Sequence, residues 1–472
     1  MVKMLCRSIM VAVGLLGVGL SAMQPLRADD APKLPTALGS VTLENGDSIV
    51  FLGDSITHQC LYTQYVEDYF YTRMSHLRLK LHNAGVGGAR AWDALQRFDE
   101  DVASYKPKYV TILLGMNDGT YRPYDEATFQ TYRQDMTALL DQLQGLGATA
   151  IPMTPTMFDA RADRARPNNK RDPESQALYN SVLAYYGAWL REVSVERGLG
   201  FVDMYGPLNT ITLEQRKTDA AFTLIQDAIH PGAPGQVVMA TAMITDMGLP
   251  RQLSNITITV GSGGPKAKRD NGGGLKATGR ASGGKLSDIA VTETGVAFTF
   301  HPQSLPWVLP EEAQLGAKLT KLGHKLSREA LDVHGLAPGQ YQLLIDGVEV
   351  GTYSSATLER HIELQENAKT PQYQQALAVA NLNKERNEKA VRKLRGEWSQ
   401  YQQFARARRT ATEKPDDEQA QKQLATLTEK ITGMAERVAQ ANEEARSYED
   451  RIFEINQPRS VRYELKRVEM MK

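Results

Sequence analysis

Four polar residues of this chain have the side-chain types, and the places beyond apolar runs, that acyl transfer needs: Ser55, Asn117, Asp227 and His230. Gly53-Asp54-Ser55-Ile56-Thr57-His58 follows the apolar run Ser48-Ile49-Val50-Phe51-Leu52, so a serine is delivered to the carboxyl edge of a sheet, where open α/β folds bind ligands. Gly-Asp-Ser also makes ordinary turns, so the segment gains force only from its company. A serine hydroxyl is a weak nucleophile at neutral pH and needs a base. His230, in Asp227-Ala228-Ile229-His230-Pro231, can take its proton, and Asp227 is near enough in a turn to hold the imidazole in the right tautomer. A tetrahedral intermediate also needs hydrogen-bond donors where its charge develops. Gly88, ending Asn83-Ala84-Gly85-Val86-Gly87-Gly88, can present a backbone N–H; Ser55 offers its own, and Asn117 in Gly115-Met116-Asn117-Asp118 offers a side-chain amide. Asp54 and Asp118 read as supporting residues that tie loops beneath the site, and His58 as a capping or packing residue. The other histidines, His76, His82, His301, His324, His334 and His361, show no ligand spacing, so neither a metal nor a cofactor is expected.

Residues 40 to about 248 alternate strand and helix signals. The strands are expected at Ser48–Leu52, Lys80–His82, Tyr109–Leu114, Thr149–Pro152 and Gly200–Val202, and the helices at Cys60–Leu79, Ala91–Ala103, Asp125–Leu146, Pro173–Arg197 and Pro234–Asp246. That rhythm predicts a parallel sheet with helices on both faces. From about 255 to 365 the period drops to two. Asn255–Val260, Val296–Phe300 and Tyr341–Ile345 alternate, and Asp346-Gly347 before Val348–Val350 signals a hairpin. Gly261–Lys285 reads as a mobile loop; no Walker or dinucleotide spacing surrounds Gly272-Gly273-Gly274. From about 371 the chain is helical, with a heptad seam through Ala420, Leu424, Leu427, Ile431, Met434 and Val438 and on to Ile455. A break at Lys414-Pro415-Asp416-Asp417 predicts an antiparallel helical hairpin, able to pair with a second copy if its seam is not covered within the chain.

In order along the chain, these blocks resemble those of the SGNH hydrolases, also called GDSL-type esterases and lipases, from roughly residue 46 to 248. The resemblance implies Ser55 as nucleophile, Asp227 and His230 as its partners, and Ser55, Gly88 and Asn117 as the oxyanion hole. It also implies a flavodoxin-like three-layer α/β/α domain, to which this chain adds a small antiparallel β module and the helical hairpin. One departure is Gly87, where many relatives carry serine; glycine there should loosen the loop without removing the Gly88 N–H. The activities implied run from acetyl esterases of glycans to thioesterases, lysophospholipases and short-chain carboxylesterases. Export and an added β module lean toward acetyl or other short acyl groups on carbohydrates or small-molecule esters. A carbohydrate- or envelope-binding protein with a vestigial hydrolase domain is the rival reading.

The whole chain, 472 residues, divides into a signal peptide at 1–28, a catalytic domain at 29–250, a β-rich module at 251–368, a helical hairpin at 369–457 and a tail at 458–472. Lys3 and Arg7 before the apolar Ile9–Leu20 read as a cleaved export signal, placing the protein in the periplasm or outside the cell; no later stretch approaches a membrane span. Cleavage would leave Cys60 alone, a small buried residue at the start of a helix, and no internal disulfide. The 55 basic and 55 acidic residues cancel, which argues against a nucleic-acid partner. Lys384–Lys414 is locally basic and reads as a solvated helix face.

Overall fold

A computed structural model describes residues 38–167, 169–261 and 276–468; the signal-like segment 1–28 and the triple glycine at 272–274 lie outside them. β1 (Ser48–Gly53), β2 (Lys80–Gly85), β3 (Tyr109–Leu113) and β4 (Thr149–Pro152) form a parallel sheet in the order β2-β1-β3-β4. β1 and β3 are buried along their whole length, as strands covered on both faces must be. The fifth strand expected at Gly200–Val202 is reduced to a bridge between Met153 and Val202. Gly200 and Val202 donate to Ala150 and Pro152, but the ladder stops there because side chains take the next N–H groups. Asp203 N donates to Asp246 and Met204 N to the Thr154 hydroxyl. Helices Glu126–Leu146 and Pro173–Arg197 start where Asp125 and Asp172 accept N–H bonds from Thr128 and Ser175. The helix expected at Cys60–Leu79 spans only Leu61–Arg73, and that expected at Ala91–Ala103 breaks at Arg97, whose buried guanidinium reaches Ala84 O and Asp101.

The β module contains two sheets. β5 (Gln252–Val260), β6 (Ala277–Ser282), β9 (Arg328–His334) and β12 (Ile362–Glu363) form one; β7 (Gly284–Val291), β8 (Gly295–Pro302), β10 (Gln340–Ile345), β11 (Val348–Ser354) and β13 (Val461–Arg467) form the other. The β10–β11 hairpin turns at Asp346 and Gly347, both at positive φ, as a tight two-residue turn requires. Two expectations change. The module is not wholly antiparallel, because β5 and β9 pair in parallel across the intervening chain. The stretch read as a loop to Lys285 already forms strand from Ala277, while residues 262–275 lie outside the described residues. The unassigned tail supplies β13, the central strand of its sheet, with Val461, Tyr463 and Leu465 inward.

The hairpin is present. Pro371–Arg386, a π-turn at Asn387–Val391 and Arg392–Glu413 make one rod; Glu418–Ile431 and Met434–Ile455 return along it, separated at Gly433. Val379, Leu394, Trp398, Met434, Ala441 and Ile452 join the same apolar core as the parallel sheet. The basic stretch is not a uniformly solvated face. Arg395 is fully buried and makes paired bonds of 2.9 and 2.8 Å to Asp101, which also receives Arg97 and contacts His82. Arg386, also buried, bonds Glu67 and Glu449. The Arg395–Asp101 separation is 294 residues, so local charge could not reveal the pairing.

Candidate active site

Ser55 opens a four-residue helix, Ser55–His58, directly after β1. Asp54 caps it by accepting the Ile56 N–H at 2.9 Å. The turn is tight enough that a Cβ on Gly53 would lie 2.1 Å from Thr57 Oγ1, so no other residue fits there. As the first helical residue, Ser55 keeps an N–H with no intrahelical acceptor. Its hydroxyl lies 2.8 Å from His230 Nε2, and His230 Nδ1 lies 2.7 Å from Asp227 Oδ2. The carboxylate facing Nδ1 places the ring proton there and leaves Nε2 to accept from serine. The other oxygen of Asp227 accepts the backbone N–H groups of Ile229 and His230 at 3.0 and 2.7 Å, and the turn passes through Ala228 at φ +76. That uncommon backbone state is held because Asp159 N donates to Ala228 O and Arg166 bonds the Asp227 carbonyl.

Electrostatics follow from these bonds. Burial alone would raise the Asp227 carboxyl, but the His230 ring and the two backbone donors outweigh it and hold it well below the usual carboxylate range. The bond to Asp227 raises His230 above its ordinary imidazole value, against partial burial. Asp54 and Asp118 are buried, and burial pushes each up to about 7. Asp118 ties two loops together by accepting the Ala91 and Gly115 N–H groups, each at 2.9 Å.

Asn117 sits just beyond β3 with its Nδ2 donating to Ala89 O at 3.1 Å and in a longer contact of 3.4 Å with Asp54. Tyr121 donates to Asn117 Oδ1 at 3.0 Å and so fixes which way the amide faces. Gly88 lies between these elements at φ +68, and its N–H has no acceptor among the described residues. Every residue expected at the site is therefore drawn to the carboxyl edge of β1, β2 and β3. His58 makes no hydrogen bond to the triad, its Nδ1 being buried without a partner. Among the described residues no group of three or more His, Cys, Asp or Glu could hold a metal ion, and no helix is long and apolar enough to cross a membrane. Burial pushes the Cys60 thiol up to about 12.

Three contributors escaped sequence reasoning: Tyr121, Gln402 and Arg406. Gln402 and Arg406 come from the C-terminal helix and bond the carbonyls of Gly87 and Gly88. Nothing near Gln402 in sequence marks it; Arg406 was visible only as one charge in a basic run. A cleft of about 840 Å³ extends from Asn117 and Gly88 to this helix, lined by polar groups that include Arg90, Asp93, Arg122 and Arg406.

Residues 51–238 match the GDSL-like lipase/acylhydrolase family. An acetylxylan esterase of Geobacillus stearothermophilus is 25% identical over 227 residues, 43% of this chain and 95% of that protein. A solved structure of a gut microbial diltiazem-metabolizing enzyme is 27% identical, covers 91% of this chain and 99% of its own, and superposes with a TM-score of 0.75. The match to that structure extends well past the α/β layer, so most of the added β module and hairpin recur in it. The parallel-sheet layer is an ester-hydrolase fold related to acetylxylan esterases. Through this internal segment, the chain belongs to the SGNH/GDSL-like hydrolase superfamily.

Proposed function

We propose that the protein hydrolyses acetyl or other short acyl esters of carbohydrates or small molecules through a covalent acyl-enzyme. The observation that carries this is the continuous relay from Ser55 Oγ to His230 to Asp227, with bonds of 2.8 and 2.7 Å. Ser55 attacks the ester carbonyl as His230 takes its proton, and the imidazolium then protonates the departing alcohol. Water repeats the cycle on the acyl-enzyme. The N–H groups of Ser55 and Gly88 meet the oxyanion together with the Asn117 amide, which exchanges its long 3.4 Å contact with Asp54 for the oxyanion, while Asp227 keeps the imidazole oriented. Sheet order supports a flavodoxin-like layering: β1 and β3 straddle the point where connections reverse direction, the usual place for a ligand crevice.

The charged side chains Arg90, Asp93, Arg122 and Arg406, set beside Trp92 and Tyr121 in the cleft next to Asn117, are compatible with a hydroxylated acyl acceptor. The acetylxylan esterase and the diltiazem-metabolizing relative support the same lean, toward a glycan or a small ester. The test is a panel of acetylated xylo-oligosaccharides, diltiazem, lysophospholipids, acyl-thioesters and p-nitrophenyl esters of rising chain length, each run beside Ser55→Ala. Acetyl should be preferred to octanoyl. A Ser55-dependent rate that climbs steadily with chain length would move the substrate class to lipids. Export to the periplasm or beyond belongs to this reading, and cell fractionation tests it. The hairpin seam is largely covered within the chain, with Ala420, Leu427, Met434, Ala441, Ala445 and Ile452 buried, which leaves a homodimer through these helices little to bury.

A further inference from the structure

The helix Arg392–Glu413 reaches into the oxyanion loop. Val86–Ala89 closes a turn in which Ala89 N donates to Val86 O at 3.1 Å, Gly88 stands at φ +68 and Gly87 lies outside the positive-φ region. That combination marks a type II turn. Types I and II differ by a flip of the central peptide, and here that plane carries the Gly87 carbonyl at one end and the Gly88 N–H at the other. A flip would turn the donor away from the reacting carbonyl. Side-chain crowding does not brace the turn: a Cβ on either glycine would meet no atom within 4 Å.

Two side chains from the hairpin hold the loop instead. Gln402 Nε2 donates to Gly87 O at 2.9 Å. Arg406 Nη2 donates to Gly88 O at 2.7 Å, and Asp93 braces Arg406 through bonds of 2.8 and 2.7 Å. Asp93 is itself buried and accepts the Arg90 N–H on the far side of the same loop.

We propose that Gln402 and Arg406 are positioning residues for ester hydrolysis, which by gripping the Gly87 and Gly88 carbonyls keep the Gly88 N–H aimed at the oxyanion. This rests on the ester-hydrolase reading above. It also gives the hairpin a part in catalysis, since it restrains from outside a loop that Gly87 leaves loose.

The experiment is steady-state hydrolysis of p-nitrophenyl acetate by the full chain and by Ser55→Ala, Gln402→Ala, Gln402→Glu, Arg406→Ala and Arg406→Lys, with melting temperatures recorded for each. Gln402→Ala should lower kcat by about tenfold or more and leave KM within about twofold, since the donor matters most once negative charge has formed. Gln402→Glu keeps the shape, but its carboxylate repels the Gly87 carbonyl and accepts the Gly88 N–H, so it should fall further than Gln402→Ala. Arg406→Lys should retain more kcat than Arg406→Ala, because an ammonium can still donate to Gly88 O. Wild-type kcat in a folded Gln402→Ala, or a change confined to KM, would overturn the inference while leaving the esterase reading intact. Absence of Ser55-dependent turnover in the wild type would instead bring down both.

Discussion

The chemistry proposed for Ser55 depends on neighbours that are each held by something else: His230 by Asp227, Asp227 by the Ile229 and His230 N–H groups, Asn117 by Tyr121. Asn117→Ala should cost roughly a hundred- to a thousandfold in kcat with a smaller change in KM, on the scale of one lost oxyanion donor. Tyr121→Phe removes only the hydroxyl that orients the amide, so its loss should lie between wild type and Asn117→Ala in the same assay. Both would be misassigned if the loss appeared in KM alone. The pH profile belongs at this scale too. His230 must be neutral to take the serine proton, so kcat/KM rises with pH through its folded pKa. Asp227 raises that pKa, which places the limb above the free-imidazole value of about 6.5 rather than on it. Asp54, pushed up to about 7 by burial, titrates in the same window. Asp54→Asn keeps an acceptor for Ile56 N but removes a charge that helps raise His230, so it should move the limb down by less than Asp227→Asn, which should also lower the rate. A limb that disappears in Asp54→Asn would transfer the assignment to Asp54.

Among the elements, those whose signal is local were legible in the sequence. β1, β3 and β4 combine short apolar runs with turn residues, and Glu126–Leu146 has an Asp cap at one end and Gly147 at the other, so their bounds emerge nearly as expected. The grouping of the candidate site residues was legible for the same reason, since Ser55, Gly88, Asn117, Asp227 and His230 each sit in a short block beyond a strand or turn. Elements whose cause is distant were not. β13 alternates Val461, Tyr463 and Leu465, a readable period, but only its pairing with β8 and β10 makes it the centre of a sheet. The fifth strand, paired through Gly200 and Val202, is not extended because Asp246 and Thr154 capture the N–H groups of Asp203 and Met204 that follow it. Removal of residues 371–468 should therefore do more than trim an appendage. It uncovers the core shared with Val379, Trp398 and Ile452 and takes the middle strand from a five-stranded sheet. Such a protein should be insoluble or lose cooperative unfolding by circular dichroism; a soluble truncation with a sharp transition would contradict this.

Across the whole molecule, the hairpin and the α/β layer are joined by buried charge. Asp101 carries no exposed side-chain surface, and its carboxylate receives Arg97, Arg395 and the His82 ring. The two guanidinium partners and the His82 bond outweigh the upward push of burial and hold the Asp101 carboxyl far below its usual range. Arg395→Ala would leave Asp101 with one guanidinium partner fewer and open a gap between the layers. Breaking a buried pair from one side costs about 3–5 kcal/mol, which denaturant titration would detect readily. A loss no larger than that of an exposed ion pair, roughly 0–1 kcal/mol, would mean that the layers do not depend on this contact.

The central claim, that Ser55 is the nucleophile of an ester hydrolase, is tested most directly by p-nitrophenyl acetate hydrolysis in wild type and Ser55→Ala, with circular dichroism on both. Removing a partly exposed hydroxyl should leave the fold and its melting temperature unchanged. Turnover should drop by several orders of magnitude, to the level that binding and the oxyanion donors sustain without a nucleophile. A folded Ser55→Ala that hydrolyses the ester at near the wild-type rate would contradict the account.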